Sequence, residues 1–166
     1  MNRWLVSDHH FGHTNIIKYA ERPFDNIDQM NRTLIENHNS VVQDTDKVYF
    51  LGDVAMNEKA LHQTVPYMKG KKRLILGNHD NLKMKIYARY FERISGSQDL
   101  KIPNSKILLT HYPSILDNHT IGRYSLNVHG HIHNHKLNSL SHVCVCVEHT
   151  NYFPVSFDSI IKRREL

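Results

Sequence analysis

The sequence predicts an α/β fold in which two packed β-sheets are flanked by helices. Short apolar runs alternate with helical periods in the first half of the chain, and apolar runs pair up in the second half. Clusters of Asp, Asn and His directly follow five of these apolar runs. Because each sheet and each helix must bury an apolar face, this order of elements favours layers of sheet and helix packed on one another.

The predicted strands are short, apolar and bounded by turn residues. The hairpin among them turns at Pro103-Asn104-Ser105, where proline and asparagine favour a tight turn. The predicted strands cover residues 3–7, 47–51, 73–76, 125–129 and 142–148, and the hairpin covers 99–110.

The predicted helices lie between these strands. The longest, over residues 25–42, carries an apolar stripe that includes Met30 and Leu34. Pro66 bends or ends a second helix, and Ser156 is suited to cap a closing helix. The other predicted helices cover residues 13–20, 57–68 and 81–91.

The bulk composition is that of one globular domain. A chain of 166 residues fits a single domain over 1–166, and 40% hydrophobic with 22% charged residues argues against disorder. No stretch approaches the roughly 20 apolar residues of a membrane span, and the N-terminal residues are too polar for a signal-peptide core. We therefore expect a soluble, cytoplasmic protein without a membrane partner.

The two cysteines, Cys144 and Cys146, stand two residues apart in one predicted strand. A disulfide between such neighbours would be strained, so we interpret them as buried thiols, with a cysteine metal site as the alternative. Thiols agree with a reducing, cytoplasmic compartment.

Charge and histidine content point toward an anionic substrate and metal binding. The net charge is +5 with neutral histidines, which favours a phosphate ester or nucleic acid as partner. Fourteen residues are histidine, and many stand beside Asp, Asn or Gly. Histidine is the most common metal ligand in proteins, so the spacing of these residues matters.

Five apolar runs deliver polar clusters at their carboxyl ends. Ligand sites of α/β sheets lie at this edge, so the clusters are expected to converge. In chain order the clusters are Asp8-His9-His10, Gly52-Asp53, Gly77-Asn78-His79-Asp80, His111 and Gly130-His131-Ile132-His133.

The donor types indicate a transition-metal site. Oxygen and imidazole donors without thiolate suit Mn, Fe, Zn, Co or Ni better than Ca or Cu(I). Asp8 with His10, and His131 with His133, are spaced two apart, so each pair can point at one centre. Seven donors are too many for one ordinary ion and about right for two ions that share a carboxylate.

The ordered set of five clusters resembles the calcineurin-like metallophosphoesterase pattern over residues 8 to 133. The segment from Gly12 to Ile17, with Arg22-Pro23-Phe24, resembles a compact branch found in phages and bacteria. The resemblance implies a four-layer αββα sandwich of two mixed β-sheets flanked by helices, the metallophosphoesterase fold.

The resemblance also implies a role for each cluster residue. Asp8, His10 and His133 would hold one metal, with Mn the first choice. Asn78, His111 and His131 would hold a second metal, and Asp53 would bridge both. His79 would protonate the leaving oxygen or stabilise its developing charge, and Asp80 would orient His79.

Two divalent ions about 3.5–4 Å apart can bind the phosphate oxygens and activate a bridging water. The resulting metal-bridging hydroxide would attack phosphorus in line with the leaving alkoxide. A phosphodiester is favoured over a monoester, because the short chain leaves little room for a cap domain and an open site accepts nucleotides or nucleic-acid ends.

Residues near the first cluster are candidates for substrate binding. His13, Asn15 and Arg22 follow the first metal-binding loop and would line the cleft, and Arg is well suited to phosphate. Asn15 as a helix cap and Arg22 in a surface ion pair are the alternatives. Aromatic residues offer base stacking or plain packing, namely Phe11, Tyr112 and Tyr124.

Three other functions fit parts of the sequence. A phosphomonoesterase would use the same site, and a non-catalytic metal-binding scaffold would use the same fold. A nucleic-acid-binding module would rest on the basic charge alone and would bind without metal. The complete ligand set and the His79-Asp80 pair favour an enzyme, acting as a monomer or small homo-oligomer.

Overall fold

The computed structural model of the protein describes residues 1–116 and 123–164, and within them two mixed β-sheets pack face to face. The first sheet has the order β4-β3-β2-β1-β9, with β1 to β4 parallel and β9 antiparallel to β1. Its strands are β1 Arg3–Val6, β2 Lys47–Phe50, β3 Lys71–Ile75, β4 Arg93–Ser95 and β9 Val155–Ser156.

The second sheet has the order β5-β6-β7-β8. β5 and β6 form an antiparallel hairpin, whereas β7 and β8 extend the sheet in parallel. Its strands are β5 Ser97–Ile102, β6 Ser105–Thr110, β7 Leu126–His129 and β8 His142–Cys144.

Helices flank the sheets, and the two longest helices of the first half begin at asparagine caps. The Asn26 side chain accepts a hydrogen bond from Gln29 N, and the Asn57 side chain accepts one from Ala60 N. The helices are α1 Ile16–Tyr19, α2 Ile27–Val41, α3 Glu58–Thr64, α4 Met84–Tyr87 and α5 Phe157–Arg164. These two mixed sheets with flanking helices confirm the predicted fold class.

The central strands are apolar on both faces because each face meets a different core. Val6, Val48 and Phe50 pack against the helices, whereas Leu5 and Tyr49 face the second sheet. Alternation along a strand sends successive side chains to opposite faces, which explains why the apolar runs are continuous. The inter-sheet core is completed from the second sheet by Leu100, Ile107, Leu109, Leu126 and Val128.

Several predicted elements are shorter than expected. Residues 81–91 contain only one helical turn, α4, and the helix before Pro66 ends at Thr64 and continues as a 3-10 turn, Val65–Tyr67. The strand predicted over 142–148 ends at Cys144. Ser156 accepts a hydrogen bond from Ser159 N at 3.1 Å, as expected for a cap of α5. Over the described ranges, no helix combines the length and apolar character that crossing a membrane requires.

His38, on α2, makes fold stability sensitive to acid. The ring is 1% exposed, and its Nε2 lies 2.9 Å from the Lys69 carbonyl oxygen. Burial lowers the pKa of His38 from 6.5 to about 4, although the bond to Lys69 opposes the change. Between these two pH values the unfolded chain binds more protons than the folded protein, so stability falls as the pH falls.

We expect the free energy of unfolding to lose ~3 kcal/mol through His38 between pH 7.5 and pH 4. His38→Gln keeps a side-chain donor for the Lys69 carbonyl but cannot titrate. Urea unfolding at several pH values should therefore give a flatter pH dependence for His38→Gln than for the natural protein. Equal slopes in the two proteins would contradict this assignment.

Candidate metal centre

The carboxyl ends of five strands bring the predicted ligands together. Asp8 follows β1, Asp53 follows β2 and Asn78 follows β3, while His111 and His131 follow β6 and β7. Three overlapping triplets each place their ligand atoms within 4.8 Å of one another. The triplets are Asp8, His10 and His133, then His10, Asp53 and His79, then Asp53, His111 and His131.

Asp53 lies at the middle of this cluster. Its Oδ2 is 3.5 Å from His10 Nε2 and 3.5 Å from His111 Nε2. Asp8 Oδ1 is 3.7 Å from His10 Nε2 and 3.8 Å from His133 Nε2. Two ligands of one ion at bond lengths of about 2.1 Å lie roughly 3–3.5 Å apart, so these separations leave room for an ion between the donors.

In both Asp8 and Asp53, one carboxylate oxygen accepts hydrogen bonds from the protein, and the other faces the histidine rings of the cluster. Asp8 Oδ2 accepts hydrogen bonds from His131 N at 2.9 Å and Cys146 Sγ at 3.2 Å, whereas Asp8 Oδ1 is buried without a partner. Asp53 Oδ1 accepts from His79 N at 2.8 Å. Both ring nitrogens of His10 are also buried and unpaired. Buried polar atoms without partners are rare, and here they fit a divalent cation.

The rings of His111 and His133 are oriented by acceptors behind them. His111 Nδ1 donates to the Leu51 carbonyl oxygen at 2.8 Å, and His133 Nδ1 donates to Glu148 Oε1 at 2.9 Å. A neutral ring with its proton on Nδ1 presents the lone pair of Nε2. His111 Nε2 then faces Asn78 Oδ1 at 3.0 Å and Asp53, an arrangement that a cation bound between these donors would stabilise.

The pKa values follow from this crowding of acids and imidazoles. Burial opposes ionisation of Asp8 and Asp53, but hydrogen bonds and the charge of neighbouring histidines hold both pKa values below the usual range. Burial likewise opposes protonation of His111 and His133, but Asp53 and Glu148 respectively raise their pKa values. The site therefore holds ionised carboxylates and favours positive charge at its centre.

The loops at the site adopt backbone conformations that side chains rarely favour. Positive φ angles of 47° to 71° occur at five of the predicted ligands, namely Asp8, His10, Asp53, His131 and His133. Gly77 and Gly130 allow close approach, because a Cβ at either position would collide with the carboxylate of Asp53 or Asp8. Clustered strain of this kind is typical of functional sites.

His79 lies beside the central carboxylate. Its ring is half-buried and packs edge-on against the His10 ring, with centroids 5.2 Å apart. The bond from His79 N to Asp53 fixes its backbone. The ring therefore borders the cluster of donors around Asp53.

Asp80 has a different environment from the one expected. Its buried carboxylate accepts hydrogen bonds from Asp53 N at 2.8 Å, Gly77 N at 2.9 Å and Val54 N at 3.0 Å. Burial raises the pKa of Asp80, and these backbone donors oppose the rise. Both oxygens bind backbone, so Asp80 fixes the loop of Asp53 instead of contacting the His79 ring.

Arg22 is buried behind the site, whereas a substrate contact was expected. Its Nη2 donates to the Asp8 carbonyl oxygen at 2.6 Å, and its Nη1 donates to the His9 carbonyl oxygen at 2.8 Å. Arg22 also pairs with Glu148 Oε1 at 2.7 Å, with its side chain fully buried. This placement turns the guanidinium away from solvent and toward the backbone of the Asp8 loop.

His13 lies at the rim of the site, and Asn15 precedes α1 two residues further along the chain. The half-buried His13 ring is 5.7 Å from the His10 ring and 6.5 Å from the His79 ring. Asn15 is exposed and makes no capping hydrogen bond at the start of α1. Of the three predicted substrate-contacting residues, these two remain accessible to solvent.

Glu148 is a site residue that the sequence did not reveal. It joins His133 to Arg22 and lies 15 residues after His133 along the chain. The available signal was that Glu148 is the only acidic residue between Asn118 and Phe157. Cys146 also reaches the site as a neutral thiol, because burial raises its pKa, whereas Cys144 is a half-buried free thiol.

Comparison with known proteins identifies the family. The sequence model of the calcineurin-like phosphoesterase superfamily domain matches residues 1–147. The chain is 36% identical to the uncharacterized protein MJ1445 of Methanocaldococcus jannaschii, over 96% of this chain and 89% of that protein. It is 27% identical to the gene 66 protein of Mycobacterium phage L5, over 80% and 77% of the two chains. This chain belongs to the calcineurin-like phosphoesterase superfamily.

Solved structures share the fold of this chain. The protein of unknown function AQ665 from Aquifex aeolicus is similar with a TM-score of 0.78 and 25% identity, over 98% of both chains. A novel archaeal phosphodiesterase has the same fold, with a TM-score of 0.50 and 18% identity over 88% of this chain and 82% of that one. The phage relatives support the predicted compact branch. The protein is accordingly a metal-dependent phosphoesterase that acts on phosphate esters.

Proposed function

We propose that this protein is a phosphodiesterase for nucleotide or nucleic-acid-derived substrates and that it uses two divalent ions. The observation that carries the proposal is the central position of Asp53 between two sets of donors. Asp8, His10 and His133 would hold one ion, and Asn78, His111 and His131 the other, with Asp53 shared. Manganese is the proposed metal, although iron, zinc, cobalt and nickel accept the same donors.

When bound, two such ions would act as Lewis acids that stabilise negative charge on phosphate oxygens, and they would lower the pKa of a bound water. The protein keeps the donors in place before substrate arrives. Leu51 and Glu148 fix the rings of His111 and His133, and Asp80 fixes the backbone of Asp53. Such supporting bonds set which ring nitrogen carries the proton and raise the basicity of the ligand.

His79 would donate a proton to the leaving oxygen of the ester. Its ring borders the central carboxylate, where it packs against the His10 ring, and its backbone is fixed by the bond to Asp53. Protonation of a leaving alkoxide in the transition state typically contributes about 10²–10⁴-fold to the rate. His13 and Asn15 would contact the substrate from the rim.

The exposure of the outer donors supports a diester substrate. Asn78 is exposed, and the side chains of His131 and His133 are only partly buried. A phosphorus with two organic substituents can therefore approach from this side. The net charge of +5 favours the approach of an anionic chain.

Initial rates on bis-p-nitrophenyl phosphate and p-nitrophenyl phosphate test this proposal. The protein is stripped of metal and assayed again with Mn²⁺ restored. We expect metal-restored hydrolysis with preference for the diester. Preference for the monoester would support a phosphomonoesterase on the same site. Hydrolysis of neither ester, with two metals bound, would support a non-catalytic scaffold.

Glu148→Gln should weaken metal binding by about 10–100-fold, because Glu148 orients His133 and balances Arg22. The amide keeps the size of the side chain but removes its charge. Metal affinity is measured by competition with a coloured chelator, and circular dichroism reports folding separately. Glu36→Gln, at an exposed position of α2, is the matched control. Unchanged metal affinity in a folded Glu148→Gln protein would exclude this role.

A further inference from the structure

Tyr112 places a large exposed aromatic ring against the metal centre. It directly follows His111 and is 49% exposed. Its ring centroid lies 4.5 Å from that of His131 and 5.1 Å from that of His111. One side of the ring thus packs on two predicted metal ligands, while the rest of its surface faces solvent at the rim of the site.

The loop that carries Tyr112 is held in place by side-chain hydrogen bonds, several of them to the buried Asn127. Thr110 Oγ1 donates to the Tyr112 carbonyl oxygen at 2.6 Å, and Ser114 N donates to Asn127 Oδ1 at 2.8 Å. Asn127 is fully buried, and its Nδ2 donates to Thr110 Oγ1 at 2.8 Å. His142 Nε2 donates to the Ser114 carbonyl oxygen at 2.8 Å.

These bonds matter because a buried amide is costly unless it is fully bonded. Here the Asn127 amide is used to fix the loop that presents Tyr112. The aromatic surface is therefore pre-organised, which reduces the entropy lost when a ligand stacks on it. Ile115, 87% exposed in the same loop, extends the apolar rim.

We propose that Tyr112 is a stacking platform for the base of a nucleoside phosphodiester whose phosphate lies at the metal centre. This inference rests on the proposed phosphodiesterase function and deepens it. A ligand that contacts both surfaces needs an anionic phosphate for the metal centre and, beside it, a planar and largely apolar group for the Tyr112 ring. A nucleobase joined through its sugar to the phosphate has this arrangement, and base stacking on an aromatic side chain tolerates any base.

Two esters with the same leaving group test the platform, namely thymidine 5′-(p-nitrophenyl phosphate) and methyl p-nitrophenyl phosphate. The ratio of kcat/KM between them reports recognition of the nucleoside and cancels changes in the chemical step. Tyr112→Ala should lower this ratio by roughly 5- to 150-fold, mainly through KM, and Tyr112→Phe should keep it near the natural value. Tyr67→Ala removes another exposed tyrosine, in the turn after α3, and should leave the ratio unchanged.

A ratio in Tyr112→Ala equal to that of the natural protein would overturn the platform while leaving the phosphodiesterase proposal intact. Hydrolysis of neither ester by the natural protein would instead reject the proposed function. In that case calorimetry on the Mn²⁺-loaded protein tests whether Tyr112 binds a nucleobase, because it compares the affinities of two phosphate ligands. Thymidine 5′-monophosphate should bind more tightly than inorganic phosphate, and Tyr112→Ala should remove that difference. Equal affinities of the natural protein for both ligands would overturn it.

Discussion

Asp53→Ala should lose metal and phosphoesterase activity together. Asp53 Oδ2 lies 3.5 Å from a ring nitrogen of each ligand set, so its removal weakens both proposed ion sites. Removal of a residue that only hydrogen-bonds to a metal ligand typically lowers metal affinity or activity by about 10–100-fold. Loss of a shared ligand should therefore lower the rate on the order of 10³-fold or more. Metal content by mass spectrometry and the initial rate on bis-p-nitrophenyl phosphate check this.

The loss should be specific to the site. Asp25→Ala removes a carboxylate of the same type from an exposed position before α2 and should retain both metal and activity. Full metal content in Asp53→Ala would show that Asp53 does not bridge two ions. Loss of activity with both ions retained would place Asp53 in substrate binding instead.

His79→Ala should retain the metal and lose about 10²–10⁴-fold in kcat, as expected for removal of a general acid. The defect should depend on the leaving group. A dinucleotide leaves as a poor alkoxide and needs the proton, whereas p-nitrophenolate leaves readily without it. The rate loss should therefore be much larger for thymidylyl-thymidine than for bis-p-nitrophenyl phosphate.

Because His79 also lies within 4.8 Å of His10 and Asp53 donor atoms, the same variant separates two roles. Loss of metal in His79→Ala would identify His79 as a ligand. An equal rate loss with both leaving groups would exclude proton donation. His62→Ala, on α3, provides the matched control, since it removes another half-buried histidine and should preserve rate and metal.

The sequence was sufficient to predict the positions of the ligand-bearing loops. β1, β2 and β3 each end in apolar residues, and Asp8, Asp53 and Asn78 follow these ends within three residues. Parallel pairing brings the carboxyl ends of the three strands to one edge. The elements that were missed are the shortest ones. β4 has three residues and β9 has two, so neither carries a recognisable period, and only pairing with β3 and β1 defines them as strands.

The residues behind the ligands could not be predicted from local pattern. Arg22 and Glu148 are 126 positions apart, and their ion pair exists only after the two halves of the chain pack together. An arginine next to a proposed phosphate site was reasonably expected to face the substrate. In the structure the guanidinium is buried instead, where it donates hydrogen bonds to two backbone carbonyl oxygens and pairs with one carboxylate.

The most direct test of the two-ion phosphodiesterase is a titration of the metal-free protein with Mn²⁺. Calorimetry measures the number of ions bound, and hydrolysis of bis-p-nitrophenyl phosphate measures the rate at the same ratios of metal to protein. We predict that each chain binds two ions and that the rate reaches its maximum only as the second ion binds. A maximum rate at one ion per chain would contradict the shared-carboxylate site, and undiminished hydrolysis after metal removal would contradict the metal-dependent account altogether.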